Sequence, residues 1–352
     1  MTNNPETYTR NSNNELLRIV CMFFIVLHHF LVHACFPTSF MNTTTLNTEV
    51  AVSSIANGFL YIGVNCFILI SGYYGVKLRW KNLLSLFIAC AIYGVLGYLF
   101  HIWYDGASIG KSLICNSLLI FSHSSWWYIN CYLILLLVSP LLNAGIERMS
   151  KHQHQVTIVG LTICQIYFGY FWCQCMFDDG GYSFMQFLYM YIIGAYIHKY
   201  TTPSKQKRNI YFWIYVICAL IWGTISCLSH RYSIDEWWRP ICYNNPIVVI
   251  AAVSFFLYFQ TFTFTNKIIN WLAPGTLAAY LIQDQYYFGS ALYRFVHENT
   301  LTLSPYTRLA TAVGISIVFL AGVMILDKGR IRMCTSIITN TAKKLDELMT
   351  IN

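Results

Sequence analysis

Ten stretches of mostly apolar residues, each 17 to 25 residues long, fill almost the whole chain and limit its fold more than any motif does. They lie near 17–35, 54–74, 83–103, 118–142, 156–173, 184–200, 210–228, 245–262, 274–294 and 307–327. A helix that crosses a hydrocarbon core about 30 Å thick needs about 20 such residues. The expected fold is therefore all-α, a polytopic membrane bundle of about ten transmembrane helices. The fourth stretch is ambiguous, because 113–121 also reads as a separate re-entrant piece. Only 10% of the residues are charged, against about 25% in a soluble domain, so most of the surface has to face lipid. The first stretch reads as a retained helix, since no small-x-small cleavage site precedes Pro37 and it carries two histidines.

The polar residues 1–14 read as a disordered N-terminus, 15–330 as one integral membrane domain, and 331–352 as a tail with a short amphipathic helix over 333–350. The chain has no internal repeat and no low-complexity tract. Lipid-facing and subunit-facing surfaces share this composition, so no oligomeric state follows from it.

The basic residues give the bundle a direction. With both termini in the cytoplasm, 17 of the 22 Lys and Arg residues fall on the cytoplasmic side, and only Lys111, Arg231, Arg239, Arg294 and Arg308 fall outside. The inverted chain would reverse that bias, so the positive-inside rule favours N-in/C-in. Eight or twelve spans would keep the same parity. The net charge of +8 does not indicate nucleic acid, because the cations sit in short runs between apolar stretches. The 13 cysteines show no paired C-x-x-C zinc pattern. There is no P-loop, no G-x-S-x-G elbow and no H-E-x-x-H.

Ionisable groups inside hydrocarbon are expensive and point to function. The first stretch holds Arg18 at its cytoplasmic end and His28 and His29 further in. Eleven residues separate Arg18 from His29, about 20° from whole turns, so the two share a helix face at a rise of roughly 16 Å. That puts His29 near mid-membrane. A cation at the surface can hold phosphate while an imidazole, the usual general base for a hydroxyl, works deeper. Acyl-coenzyme A has that long, thin shape. The same pattern also fits a histidine hydrogen-bonded to a neighbouring helix and an arginine that only snorkels. His28 points about 100° away and reads as structural.

Further along, Gly63, Ser71 and Gly72 allow close helix approach, and Asn65 needs a polar partner. Lys77, Arg79 and Lys81 make a basic patch that serves topology, phosphate binding or both. Trp127 and its neighbours fit an interfacial aromatic belt as well as a site. Asp284 requires a cation, a hydrogen-bond donor or a water-filled cavity.

Five elements in order resemble the membrane-bound acyltransferase 3 family, which includes bacterial polysaccharide O-acetyltransferases. They are Arg18 followed by ten residues and His29; Gly63-Val64 with Phe67, Ser71, Gly72 and Tyr73; the basic Lys77, Arg79 and Lys81; Trp127-Tyr128 with Tyr132, Ser139, Pro140 and Leu141; and Tyr280-Leu281-Ile282. The resemblance covers roughly 13–330. Three positions depart from it. Asn65 stands where many members have Asp, Asn130 and Tyr132 where many have Glu or Gln, and Gln283 where they have a late His. Gln283 can hydrogen-bond but cannot take a proton at neutral pH.

The resemblance implies a multi-pass protein of the bacterial inner membrane, with membrane lipid around it. It would move an acyl group, usually acetyl, from cytoplasmic acetyl-coenzyme A to a hydroxyl of a glycan or glycolipid acceptor, with no metal. The roles it implies are His29 as base or transient acyl carrier, with Asn65 and Ser71 completing the catalytic set. Arg18, Lys77, Arg79 and Lys81 would hold the nucleotide phosphates, and Tyr73, Trp127, Tyr132, Tyr280 and Gln283 would meet substrate. Two other functions fit parts of the pattern. Asp284 would suit a secondary transporter or flippase for a glycan or organic anion, although such folds carry inverted repeats. The departures at Asn65 and Gln283 would suit a catalytically inactive relative.

Overall fold

The computed structural model describes residues 11–37, 45–111, 114–115, 119, 126–173, 180–232 and 242–350, and all regular structure among them is helical. In chain order the helices are α1 (Asn13–Phe30, prolonged by a π-helical turn Leu31–Cys35), α2 (Thr48–Leu60), α3 (Gly63–Tyr74), α4 (Trp80–Asp105), α5 (Trp127–Arg148) and α6 (Lys151–Thr162, prolonged by a π-helical stretch Ile163–Phe171). They continue with α7 (Phe184–Tyr200), α8 (Arg208–Tyr232), α9 (Pro246–Gln260), α10 (Lys267–Leu272), α11 (Thr276–Gln283), α12 (Tyr286–Thr300) and α13 (Pro305–Thr350).

Among the described residues six runs are long and apolar enough to cross a membrane: Asn13–Cys35, Thr48–Tyr74, Trp80–Asp105, Trp127–Arg148, Lys205–Tyr232 and Pro305–Leu348. The chain is a multi-pass membrane protein. The remaining expected stretches are shorter, broken or, for Lys151–Phe171, continuously helical but not among these six. α9 is apolar but has 15 residues. The 274–294 stretch is split where α11 stops before Asp284, and α12 starts again at Tyr286. The 54–74 stretch starts earlier, at Thr48, and carries a turn at Tyr61–Ile62 between α2 and α3.

The structure corrects three sequence expectations. The fourth stretch becomes α5, shifted to 127–148; residues 112–113, 116–118 and 120–125, which hold most of the proposed re-entrant piece, lie outside the described residues. The C-terminal tail is no separate helix. α13 runs unbroken for 46 residues, about 69 Å at 1.5 Å per residue and roughly twice a hydrocarbon core. It continues through the charged 327–332 region because the buried Asp327 carboxylate accepts from Tyr93 Oη at 2.6 Å and is paired with Arg330. At the other terminus, residues 11–14 are ordered. Ser12 N donates to Phe264 O at 2.8 Å, and the buried Asn13 and Asn14 bond to Phe259 O, Gln260 and Tyr74. The disorder expected of residues 1–10 falls outside the described residues.

α1 is the hub of the bundle. Its Leu17 and Cys21 belong to a core built with α3, α5, α7, α8 and α9, whereas Met22, Val26, Leu27 and Phe30 belong to a second core with α4, α11, α12 and α13. Lipid tails are as apolar as leucine, so helices in a membrane associate through close packing more than through burial. Small residues supply that closeness. A Cβ at Gly63 would lie 2.8 Å from Ile25 Cγ1 and 2.9 Å from Cys21 O, and one at Gly72 would lie 2.1 Å from Tyr191 O. These glycines press α3 against α1 on one side and α7 on the other, and the seam between the two cores stays open beside them.

Candidate active site

α1 remains α-helical through Phe30, so the eleven-residue spacing keeps Arg18 and His29 on one face. Both line a cavity of about 350 Å³ in the seam. α3 contributes Phe67 and Ser71, α5 contributes Trp127, Tyr128 and Tyr132, and α11 contributes Thr276 and Tyr280. Tyr243 enters from the irregular segment before α9. The start of α5 is tied to the end of α11 by Trp126 Nε1 donating to Leu281 O at 3.2 Å. That bond sets Tyr128 and Tyr280 ring to ring, 5.9 Å apart.

A second cavity of about 290 Å³ is lined by Tyr74, Lys77, Arg79 and Asn82. Arg18, Ile70, Ser71 and Tyr132 belong to both walls, so the two spaces adjoin at Arg18. A basic cavity therefore adjoins, at Arg18, the cavity that His29 lines. Its wall is held in place. α3 ends at Gly75, whose φ of +68° is the left-handed conformation that favours glycine. The next residue is fixed on both sides: Val76 N donates to Tyr191 Oη at 3.0 Å, and Asn143 Nδ2 donates to Val76 O at 2.7 Å. Tyr191 Oη in turn donates to Asn143 Oδ1 at 2.6 Å. Lys77 and Arg79 make no ion pair among the described residues, which leaves their charge available to an anion.

Arg18 is not so free. Its Nη1 donates to Glu15 Oε1 at 2.8 Å, the i,i+3 spacing of a helix ion pair. Nδ1 of His29 is buried and has no hydrogen-bond partner. His29 itself lines the cavity. The rings of His28 and His33 flank it at 5.5 and 5.6 Å. His28 is committed elsewhere. Asn57 Nδ2 donates to Ser53 O at 3.1 Å, so its Oδ1 is the acceptor for His28 Nδ1 at 2.6 Å.

Of the residues singled out from the sequence, Arg18, His29, Ser71, Trp127, Tyr132 and Tyr280 meet in the main cavity, and Lys77 and Arg79 stand at its mouth. Ser71 Oγ donates to Phe67 O at 3.0 Å. Four others lie outside both linings. Lys81 is on the first turn of α4. Tyr73 packs against Tyr74, His198 and Phe256. Gln283 is one turn beyond Tyr280, buried, with both amide atoms unpartnered. Asn65 is buried; its Nδ2 donates to Tyr243 O at 2.9 Å and its Oδ1 accepts from Gln186 Nε2 at 3.0 Å. It therefore supports the cavity wall through Tyr243 and does not reach the imidazole. Sequence reasoning gave no role to Glu15 or Tyr243. The i,i+3 spacing to Arg18 was a readable signal for Glu15; Tyr243 lies in a loop and had none.

Curated proteins and solved structures give no match to the chain. A family model described as an acyltransferase domain matches residues 12–328. That match takes in every helix from α1 to the middle of α13 and both cavities. The chain belongs to the acyltransferase 3 family.

Proposed function

We propose that this protein moves an acyl group, acetyl in the first instance, from cytoplasmic acyl-coenzyme A to a hydroxyl of a cell-surface glycan or glycolipid, across a bacterial inner membrane that it crosses about ten times with both ends inside. The observation that carries this reading is the adjoining pair of cavities that lines up Lys77 and Arg79, Arg18 and His29. The nucleotide phosphates would rest on Lys77 and Arg79, where charge-assisted hydrogen bonds are strong. The pantetheine arm would pass Arg18 along a wall that includes Met22, Ile25, Leu86 and Leu277. Arg18 to His29 is roughly 16 Å of helix, which a thioester arm can span. At about 350 Å³ the inner cavity is at the small end of ligand pockets, which run from about 300 to 1,000 Å³, and that favours a short acyl group.

In the reaction His29 Nε2 takes the proton of the acceptor hydroxyl. The oxygen attacks the thioester carbonyl, the C–O bond forms and the C–S bond breaks. The imidazolium then returns its proton to the leaving thiolate, so that acyl ester and free thiol leave with no net proton change. Lys81 is not part of this arrangement, and Asn65 and Tyr73 act behind the wall.

Purified protein is incubated with labelled acetyl-coenzyme A and a cell-envelope glycan fraction, beside His29→Ala. Label in the glycan that is lost in the variant supports the reading; equal transfer by both proteins overturns the role of His29.

A further inference from the structure

Helices adjacent in sequence usually pack together, as α8 and α9 do here. Only Met149 and Ser150 join α5 to α6, yet these two scarcely approach one another, and each packs on α7 instead. Between them lies an open cleft of about 490 Å³, with Gly145, Arg148, Met149, His152 and Val156 in its walls. Asn143 Nδ2 donates to Val76 O, so the cleft is at the same end of the bundle as Lys77 and Arg79. It shares no lining residue with either cavity described above.

The cleft has a charged end and an apolar end. Arg148 closes α5, and Lys151 and His152 open α6. All three are exposed, none forms an ion pair among the described residues, and no carboxylate is among the residues lining the cleft. The C-terminal end of a helix carries partial negative charge. At the end of α5 that charge is offset by Lys199, whose Nζ donates to Ile146 O, Glu147 O and Met149 O at 3.0, 3.0 and 2.9 Å. Arg148 is left to meet an anion.

Away from the loop the walls turn apolar and open. Leu141, Val156 and Val159 are 79%, 56% and 58% exposed, and a Cβ added at Gly145 or Gly160 would meet nothing within 4 Å. Leu141, Gly145 and Arg148 follow one another on one face of α5, as His152, Val156 and Gly160 do on α6. α5 is one of the runs that can cross a membrane, and Arg148 ends it. The cations therefore stand at the membrane boundary, and the open trough runs from them into the hydrocarbon.

A free phosphate would use only the charged end. A zwitterionic lipid would bring a second cation against Arg148. An anionic phospholipid matches both ends, and basic pockets between membrane helices suit such head groups. We propose that the cleft between α5 and α6 binds one anionic phospholipid, with its phosphate between Arg148 and His152 and an acyl chain along Gly145, Val156 and Gly160. The same α5 carries Tyr128 and Tyr132 into the main cavity, so the lipid backs a helix that builds the site. The proposal does not depend on the acyl-transfer reading.

The test uses the full-length protein in a neutral detergent, with thermal unfolding and native mass spectrometry as readouts. The probes are dioleoyl phosphatidylglycerol, dioleoyl phosphatidylcholine and inorganic phosphate. Phosphatidylglycerol should be retained at one molecule per chain and should raise the melting temperature, whereas the other two should not. Arg148→Gln should weaken phosphatidylglycerol binding about tenfold or more, and Lys205→Gln, in the loop before α8, should leave it unchanged. Gly145→Leu puts a better helix former at an open position, so its melt without lipid should be equal or higher while the response to phosphatidylglycerol is lost. Should Gly145→Leu unfold, Arg148→Gln, at an exposed position, decides alone. Equal stabilisation by phosphatidylcholine would mean ordinary annular lipid, and equal stabilisation by inorganic phosphate would mean a surface anion site; either overturns the proposal. So does a wild-type phosphatidylglycerol response in Arg148→Gln or in folded Gly145→Leu, or an equal loss in Lys205→Gln.

Discussion

On the proposed donor path Arg18 would serve two partners, Glu15 in the protein and a phosphate or amide of the donor, and one pair of variants separates them. Arg18→Ala strips the Glu15 carboxylate of a guanidinium 2.8 Å away; the two side chains are 30% and 5% exposed. Breaking a fully buried pair costs about 3–5 kcal/mol, and solvent screening at the exposed arginine lowers that to about 1–2 kcal/mol. Glu15→Gln added to Arg18→Ala removes the buried carboxylate charge that has lost its guanidinium, so the double variant should recover part of the lost stability. Donor binding should not recover. A hydrogen bond to a charged group contributes about 1.5–3 kcal/mol, so both variants should bind coenzyme A about 10- to 150-fold more weakly. The assays are thermal unfolding in detergent and calorimetric titration with coenzyme A. If affinity returns in the double variant together with stability, Arg18 is a structural residue and the donor path through it is wrong.

The basic mouth gives a graded expectation: Lys77→Ala and Arg79→Ala weaken coenzyme A binding and reduce its salt dependence, whereas Lys81→Ala, outside the cavity walls, leaves titrations at wild-type values. Gly72→Ala places a Cβ 2.1 Å from Tyr191 O, about 1 Å short of contact. Overpacking of that kind costs about 1–3 kcal/mol and should lower the melting temperature measurably; an unchanged melt would mean that α3 and α7 are not held as close as described. Asn65→Asp replaces one of the two donors to Tyr243 O, the other being Gln186 Nε2 at 3.0 Å, with a buried carboxylate facing that carbonyl, and should cost about 1–3 kcal/mol, with reduced transfer through a displaced Tyr243. Thermal unfolding and label transfer check both effects.

Helical arithmetic carried far in this chain where a helix stayed regular. Arg18 and His29 fall in one cavity because α1 holds its 3.6-residue period over both, and the motif around Ser71 and Trp127 follows them there. It failed where irregular backbone or a neighbour decides. The three cations Lys77, Arg79 and Lys81 look equivalent as a string, but Arg79 ends the loop and Lys81 lies in the first turn of α4, so the third leaves the mouth. Asn65 lies within the same motif as Ser71, yet its amide turns toward Gln186 and Tyr243, residues more than a hundred positions away. No periodicity encodes that choice. Tyr243 comes from loop backbone, and the turn at Asp284 interrupts an apolar run with no adjacent glycine or proline to mark it. α13 passes its expected end because Tyr93 and Arg330 satisfy Asp327, a compensation visible only once α4 and α13 pack together.

The central claim is that one path joins the basic mouth to His29, and a structure of the protein with coenzyme A bound tests it most directly. The expected result has the nucleotide phosphates on Lys77 and Arg79, the arm running past Arg18, and the thiol within hydrogen-bond reach, about 3 Å, of His29 Nε2. Phosphates bound away from Lys77 and Arg79, or a thiol that ends elsewhere than at His29, would contradict it.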